Sequence, residues 1–299
     1  MFDQLNDAAR DIAIKIGGVD FADEAVGHSK KTIELLCKLR NARRTKNKRL
    51  QRELKNAIVK SYPVRFTAVL LKADTDNSIL IPDHIREMAG KLDMFNDCGE
   101  PVRAWAEPKL PPLNDQAPTS TDANDYRPIF AFGWLRSAGQ QLIVWVLEAT
   151  FEVDEFNHLT KGRGPDAAAE KINQLCVNGL PFVVIADIKN CFRSVQQEGL
   201  EKVLELPKAI VSNFLLIRST VKLLPKPLTT SIGVFGGTAL SGLPQGSCAS
   251  GKITGILLGP TLKSITSTDR IVLHGDDILI AASNQSEAKA FESALKKAL

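Results

Sequence analysis

Two apolar runs meet at a short acidic turn in the stretch Ile271-Val-Leu-His-Gly-Asp-Asp-Ile-Leu-Ile-Ala-Ala282. Runs of this length and composition predict the two strands of a hairpin. A third apolar run, Pro181-Phe-Val-Val-Ile-Ala-Asp-Ile188, predicts another buried strand. The sequence therefore places three aspartates, Asp187, Asp276 and Asp277, at the ends of strands that are otherwise apolar.

Aspartates in such positions point to a metal ion. A carboxylate at the end of an apolar strand is costly to desolvate without a partner, and Mg²⁺ prefers carboxylate oxygens together with phosphate and water. Successive side chains on a strand point to opposite faces, so only one of Asp276 and Asp277 can face Asp187 directly. Two ions about 3.5–4 Å apart would clamp the attacking and leaving oxygens of a phosphoryl displacement. The sequence predicts two Mg²⁺ ions, with Mn²⁺ as the alternative.

A glycine-rich loop, Gly242-Leu-Pro-Gln-Gly-Ser247, lies between these strands in the chain and precedes a predicted helix of small residues. Taken alone, an Asp-Asp pair is most often an exposed turn, and the loop is an ordinary turn. The order is more specific than its parts: a strand ending in aspartate, then the loop and helix, then a hairpin with two aspartates.

This order resembles motifs A, B and C in the palm of reverse transcriptases. Asp187-Ile-Lys-Asn-Cys-Phe192 resembles motif A, and Gly242-Leu-Pro-Gln-Gly-Ser-Cys-Ala-Ser250 resembles motif B. His274-Gly-Asp-Asp277 stands in the place of motif C. The resemblance covers the chain from about residue 100 to residue 295.

The residues before motif A extend the resemblance. Alternating residues at 102–109 and 126–132 predict two strands of a hairpin, and the proline-rich residues 110–125 form its tip. This hairpin resembles the fingers hairpin of the family. Arg127-Pro128 and Gly162-Arg-Gly-Pro165 resemble the bacterial branch that includes group II introns, retrons and abortive-infection proteins.

The resemblance implies an α+β fold with the palm and fingers of a right-hand polymerase, the palm being a ferredoxin-like sheet with helices. It implies a basic helical extension over 1–95, fingers over 96–180 and a palm over 181–299, with 180–241 connecting fingers to palm. The residues 284–299 predict a final helix. We therefore expect this chain to lack the thumb.

For the metal site, the resemblance implies that Asp187 and Asp276 are the main ligands. Asp277 would lie close by, and the backbone carbonyl of Ile188 would be a further contact. Phe192 would lie under the sugar as a steric gate that excludes a 2′-hydroxyl, which favours deoxynucleotides. The alternative for Phe192 is a core residue that follows a strand.

For the nucleotide, the resemblance implies a second group of residues. Gln245 and Gly246 would pack near the incoming nucleotide and the template base. Arg127 and Lys109 would hold the triphosphate through charge-assisted hydrogen bonds, and Arg163 would contact the template or the nucleotide. The implied partners are an RNA template, a DNA or RNA primer and deoxynucleoside triphosphates (dNTPs).

Positive charge is concentrated in residues 30–60. Twelve Lys and Arg residues stand there against Glu34 and Glu53, a net charge of +10, which leaves −6 for the rest of a chain of net charge +4. Such a block suggests a polyanionic partner, although a solvated helix face would look the same. As an extension of a polymerase, it would bind RNA or the template through Arg43, Arg44, Lys46, Lys48 and Arg49.

Three other classes of function fit part of the pattern. An RNA-dependent RNA polymerase shares the palm and commonly has Gly-Asp-Asp, found here at 275–277, but it usually places an acidic residue where this chain has Phe192. A polymerase-like nucleic-acid-binding protein without activity would fit a missing thumb but not three retained aspartates. A generic metal-dependent phosphotransferase would explain the carboxylates but not the loop at 242–247.

The composition indicates the class of the protein and its expected location in the cell. The chain has 299 residues, of which 44% are hydrophobic and 24% charged, as in ordinary globular proteins. Neither a run of 18 apolar residues nor the apolar segment of a signal peptide occurs. We therefore expect a cytoplasmic protein without a membrane partner. The cysteines lack metal-ligand spacing and are expected to be free thiols: Cys37, Cys98, Cys176, Cys191 and Cys248.

Overall fold

The computed structural model describes residues 2, 4–73, 80–108, 126–152, 154–159, 163–216, 221–223 and 242–299. Helices and small sheets combine in an α+β architecture, as the sequence predicts. Two compact units can be distinguished: unit 1 is Met1–Thr150 with Val195–Ala249, and unit 2 is Phe151–Ser194 with Ser250–Leu299. The boundaries of these two units differ from those of the predicted domains. No helix among the described residues is long and apolar enough to cross a membrane.

In unit 1 a short apolar helix lies at the centre of a group of helices. This helix, α3, packs against α1, α4 and α5. Its residues Val64 and Phe66 are fully buried, as are those that follow to Leu70. The bounds are α1 (Gln4–Arg44), α2 (Lys48–Lys60), α3 (Tyr62–Leu70), α4 (Pro82–Lys91) and α5 (Trp134–Thr150).

The polar stretch at 41–47 ends one helix and starts another, as its composition predicts. Helix α1 ends at Arg44, and Lys46 takes a positive φ of 55° in the connection. The side chain of Asn47 then accepts a hydrogen bond from the backbone N of Leu50 at 3.0 Å. This cap satisfies one of the unpaired N–H groups at the start of α2.

A small sheet in unit 1 carries the predicted fingers hairpin. Strands β1 (Val102–Pro108) and β2 (Tyr126–Ala131) are antiparallel, with Trp105 opposite Ile129. A third strand, β4 (Val221–Leu223), runs parallel to β1 on its other edge.

The sequence predicts helices over 198–223, and this prediction is wrong at its end. The helical part consists of α8 (Gln197–Leu204), α9 (Lys208–Ile210) and a π-helical turn (Val211–Leu215). Residues 221–223 are a strand because they satisfy the hydrogen-bonding groups on the free edge of β1.

Unit 2 is built on an antiparallel sheet in the order β3-β6-β5. The predicted acidic hairpin is β5 and β6, and the strand that ends in Asp187 is β3, which lies at the sheet edge. The bounds are α6 (Pro165–Val177), β3 (Phe182–Asp187), α7 (Cys191–Ser194), α10 (Ser250–Ile265), β5 (Ile271–His274), β6 (Asp277–Ala282) and α11 (Gln285–Ala298).

One face of this sheet packs against helices. On β6, Ile278 and Ile280 are fully buried and alternate with Asp277 and Leu279, which are not. Because side chains alternate along a strand, Asp277 points away from the buried face. The buried face shares an apolar cluster with α10 and α11, made of Phe156, Val184, Leu258, Leu262, Ile271, Leu273, Ile278, Ile280 and Leu295.

Candidate active site

The three predicted metal ligands gather at one end of the unit 2 sheet. Asp187 of β3 lies directly opposite Asp277 of β6. Residues in that relation have Cβ atoms about 4.5–5.5 Å apart and point to the same face. Asp276 immediately precedes Asp277 in a hairpin turn, where Gly275 has a φ of 71°. Asp277 is therefore the member of the pair that faces Asp187, and Asp276 lies beside them.

The three carboxylates also affect the titration of the groups around them. The pKa of Asp276 is raised, first by burial and then by the negative charges of Asp187 and Asp277. Burial, followed by the charges of Asp276 and Asp187, raises the pKa of the Cys191 thiol to about 11. The thiol is therefore neutral at physiological pH.

Within the described ranges, no three His, Cys, Asp or Glu side chains are arranged as a ready metal cage. Mg²⁺ is commonly held by one or two carboxylates together with substrate phosphates and water rather than by an all-protein cage. Asp187, Asp276 and Asp277 are a donor set of that kind.

A tight turn at residues 188–190 leads from β3 to α7. It contains the predicted site residue Ile188, and Phe192 follows in α7. Asn190 has a φ of 58°, and the N of Cys191 donates to the carbonyl O of Ile188 at 3.0 Å. That oxygen keeps a second lone pair, so it can still accept another contact. Cys191 is buried, whereas Phe192 is half-buried.

Unit 1 contains the predicted nucleotide-binding residues of the glycine-rich loop. This loop is attached to β2, because the N of Phe130 donates to the O of Gln245 at 2.9 Å. Gly246 has a φ of 109°, and a Cβ there would overlap the carbonyl oxygen of Phe130. Only glycine fits this position without strain. The Oε1 of Gln245 is buried and has no hydrogen-bond donor among the described residues.

Arg127 lies three residues before Phe130 on the same strand, and its side chain is exposed on the opposite face of β2. Arg127, Gln245 and Gly246 therefore belong to one structural assembly, made of strand β2 and the glycine-rich loop bonded to it. Lys109, the other predicted triphosphate contact, lies outside the described residues.

Arg163 bonds to its own chain. Its Nη1 donates to the carbonyl oxygens of Asp154, Glu155 and Asn157 at 3.2, 2.6 and 3.2 Å. Its predicted contact with template or nucleotide stays a prediction, and in this conformation the guanidinium organises residues 154–159.

The segment 154–159 extends the sheet beside the acidic turn. The N of His158 donates to the O of Leu273 at 2.7 Å, and the N of Leu273 donates to the O of Phe156 at 2.8 Å. The sheet thus continues past β5 at the residue before His274. Sequence reasoning assigned this segment no role, since its residues have no strand-like alternation.

A row of glycines on α10 allows this segment to lie directly on the helix. A Cβ at Gly251, Gly255 or Gly259 would overlap the side chain of Leu159, Asn157 or Asp154, respectively. Lys263 of the same helix forms an ion pair with Asp154. The four-residue spacing of the glycines was a readable signal, because small residues at that interval let backbones approach closely.

His158 is a further residue that the sequence did not single out. Its side chain is buried, and its Nδ1 has no hydrogen-bond partner among the described residues. Burial lowers its pKa, and the charges of Arg163, His274 and Lys171 lower it further. A neutral imidazole therefore lies near the strand that leads to the acidic turn.

The predicted template-binding cations differ in their surroundings. Lys48 pairs with Glu205 at 2.9 Å, and Arg49 pairs with Glu53 at 2.9 Å. Arg44 and Lys46 are exposed, and Arg43 is half-buried.

Comparison with known proteins assigns no family: no protein-family model matches the chain, and no curated protein matches it. The carboxylate cluster of unit 2 and the strand-and-loop assembly of unit 1 are therefore the features from which a function can be argued.

Proposed function

We propose that this chain is an RNA-directed DNA polymerase, which adds deoxynucleotides to a primer on an RNA template. The observation that carries the proposal is the cross-strand pair Asp187 and Asp277, with Asp276 in the adjoining turn. Two carboxylates on the side of the sheet opposite its apolar cluster, with a third in the adjoining turn, support a site for divalent cations rather than a structural feature of the core.

In this reaction the primer 3′-oxygen attacks the α-phosphorus of a triphosphate. The new P–O bond forms as the bond to pyrophosphate breaks. Two Mg²⁺ ions supply charge stabilisation at the attacking and leaving oxygens when bound. Asp187, Asp276 and Asp277 would hold them, and the Ile188 carbonyl is the additional candidate ligand.

The unit 1 residues would bind and orient the nucleotide. The Arg127 guanidinium is exposed and would hold phosphate oxygens in bidentate fashion. The Gln245 Oε1 is an acceptor that finds no donor among the described residues, and nucleobases and sugars offer N–H and O–H groups to such an acceptor. Gly246 keeps the loop close to β2. In unit 2, Phe192 would act as the sugar gate.

The fold of unit 2 supports a polymerase palm. Its antiparallel sheet has α10 and α11 on one face, while Asp187 and Asp277 alternate with the buried residues and point to the other. The β1–β2 hairpin likewise supports the proposed fingers. Both assignments are part of the proposal.

The test is primer extension on an RNA template with Mg²⁺, with deoxynucleotides and ribonucleotides supplied in separate reactions. Wild type should extend with deoxynucleotides, and Asp187→Asn, Asp276→Asn and Asp277→Asn should each lose extension. Asp269→Asn is the matched control, since Asp269 is an exposed carboxylate elsewhere in unit 2. Loss of activity in the control as well would argue against a specific metal site.

One observation favours a second candidate, an RNA-dependent RNA polymerase, because His274-Gly-Asp-Asp277 is closer to the turn of those enzymes than to an aromatic-x-Asp-Asp. Extension with ribonucleotides but not deoxynucleotides would establish it and would remove the gate role of Phe192. If a folded wild type binds the template but extends with neither nucleotide, the polymerase proposal fails and a binding protein without activity remains.

A further inference from the structure

A second charged surface is formed by the helices α1 and α2 of unit 1. The two helices are joined by residues 45–47 and pack against each other. Their inner sides are buried, with Leu36 and Leu39 on α1 and Ile58 on α2 fully enclosed. The cations of this region therefore lie mainly on the outer sides.

Some of these cations already form ion pairs with carboxylates. Lys38 pairs with Glu34 at 2.6 Å and Arg49 with Glu53 at 2.9 Å, each one helical turn apart. Glu205 accepts from both Lys48 and the buried Lys55. Both acidic residues between positions 30 and 60 are thus neutralised by neighbouring cations.

Five exposed cations remain that have neither a carboxylate partner nor an aromatic ring contact among the described residues: Lys30, Lys31, Arg44, Lys46 and Arg52. Lys60 is also exposed but lies over the ring of Phe95. At 1.5 Å per residue, the helical stretch from Lys30 to Arg44 is about 21 Å long.

A groove of about 420 Å³ follows the same part of α1. Its described lining is Glu34, Cys37, Lys38, Arg40, Asn41 and Arg44. Because Lys38 neutralises the single carboxylate in this lining, the groove is positively charged.

We propose that this surface, defined by Lys30, Lys31, Arg44, Lys46 and Arg52 and called here the outer cationic face, binds the phosphate backbone of single-stranded RNA. Side chains on an open helical surface contact phosphates without reading bases, so binding is independent of sequence. The proposal extends the proposed polymerase by supplying a holding surface for template, and it rests on that function only for the choice of RNA.

An anionic membrane is the other large polyanion that such a surface could meet. Helices that bind in a membrane interface expose a broad apolar face beside their cations. Residues 30–60 are described throughout, and Leu50, at 39% exposure, is their one large exposed apolar side chain. The apolar sides of α1 and α2 are instead buried within unit 1, which favours RNA.

The test is fluorescence anisotropy with a labelled single-stranded RNA of mixed sequence, titrated with the full chain over about 50 to 200 mM salt. The variant Arg44→Gln, Lys46→Gln, Arg52→Gln removes three unpaired cations. Each phosphate contact contributes about 0.7 to the slope of log affinity against log salt, so the slope should fall by about 2 and affinity by about tenfold or more at the lower salt. The matched control removes three exposed cations elsewhere: Lys202→Gln, Lys289→Gln and Lys297→Gln.

Unchanged affinity and slope in the first variant, or an equal loss in the control, would overturn the proposal. So would binding to phosphatidylserine vesicles that exceeds binding to RNA and is lost in the same variant. The Asp276→Asn variant separates this proposal from the polymerase, because it should bind RNA like wild type. A wild type that binds RNA through these cations but extends no primer would leave this proposal standing and remove the other.

Discussion

Ionisation of Asp276 is disfavoured in the folded chain, because burial and the charges of two neighbouring carboxylates raise its pKa. A carboxylate whose pKa is raised in this way is characteristic of sites that bind a counter-charge. At this scale the structure separates Asp276 from an ordinary turn aspartate such as Asp269, whose pKa is lowered by a hydrogen bond from Ser267.

In the presence of a chelator, Asp276→Asn should melt at a higher temperature than wild type at neutral pH. Because the folded-state pKa of Asp276 is raised, wild type loses stability as the pH rises from about 3.8 through that raised value. The variant has no such loss, so its advantage should vanish below pH 4. Thermal melts at the two pH values check this, with Asp269→Asn as a control that should show no gain. Equal melting temperatures of Asp276→Asn and wild type at neutral pH would contradict the raised pKa of Asp276.

Cys191 should resist alkylation in the folded chain. It is buried, and its pKa is about 11, so almost none of it is the reactive thiolate near pH 8. Cys37 lies exposed on α1 and should be modified first. Peptide mass spectrometry after treatment with iodoacetamide measures both sites, and a denatured sample shows that Cys191 can react once it is released. Equal labelling in the folded state would mean that Cys191 is not enclosed beside the carboxylates.

At the scale of elements, the packing of segment 154–159 on α10 determines what lies next to the acidic hairpin. Asn157 is buried against Gly255, and its Oδ1 accepts from the N of Leu159 at 3.0 Å. The Asn157 side chain is therefore not free to move aside for a larger residue on the helix.

Gly255→Ala should therefore destabilise the chain although alanine favours helices. The new methyl group would displace Asn157, and overpacking costs about 1–3 kcal/mol, whereas the gain in helix propensity is about 1 kcal/mol. Gly27→Ala is the matched control, since Gly27 lies within α1 with open space around its Cβ position, and it should gain about 0.5–1 kcal/mol. Urea denaturation of both variants measures the difference. A stabilised Gly255→Ala would show that the segment does not pack on this glycine.

The same elements show what could be predicted from the sequence. Strands β5 and β6 were readable because adjacent apolar runs flank an acidic turn, and the alternation on β1 and β2 was equally local. Helix α3 was missed because it is short and its residues from Phe66 to Leu70 are all buried, so its second half has no amphipathic period. Strand β4 was missed because its pairing with β1 joins residues far apart in the chain.

The site was predictable to a similar degree. Residue types and order indicated the three aspartates, and the register places Asp187 opposite Asp277. The bonds of Arg163 to three carbonyl groups depend on how one loop folds back, which no local pattern reveals. The ion pairs of Lys48 and Lys55 with Glu205 likewise join residues about 150 positions apart.

At the scale of the whole molecule, the proposed functions are divided between the two units. The carboxylates and Phe192 belong to unit 2, whereas Arg127, Gln245 and Gly246 belong to unit 1. If the division reflects function, binding of cations and binding of nucleotide can be disturbed separately.

Arg127→Gln should raise the KM for deoxynucleotides and leave cation binding intact. Charge-assisted hydrogen bonds contribute about 1.5–3 kcal/mol, which corresponds to a rise in KM of about ten- to a hundredfold. Steady-state primer extension measures the KM, and the shift of the melting temperature on adding Mn²⁺ or Mg²⁺ measures cation binding without activity. Asp277→Asn should abolish that shift, because its carboxylate belongs to the proposed ligand set. Two results would contradict this division of cation binding and nucleotide binding between the units. One is a smaller cation-induced shift of the melting temperature in Arg127→Gln, and the other is an unchanged shift in Asp277→Asn.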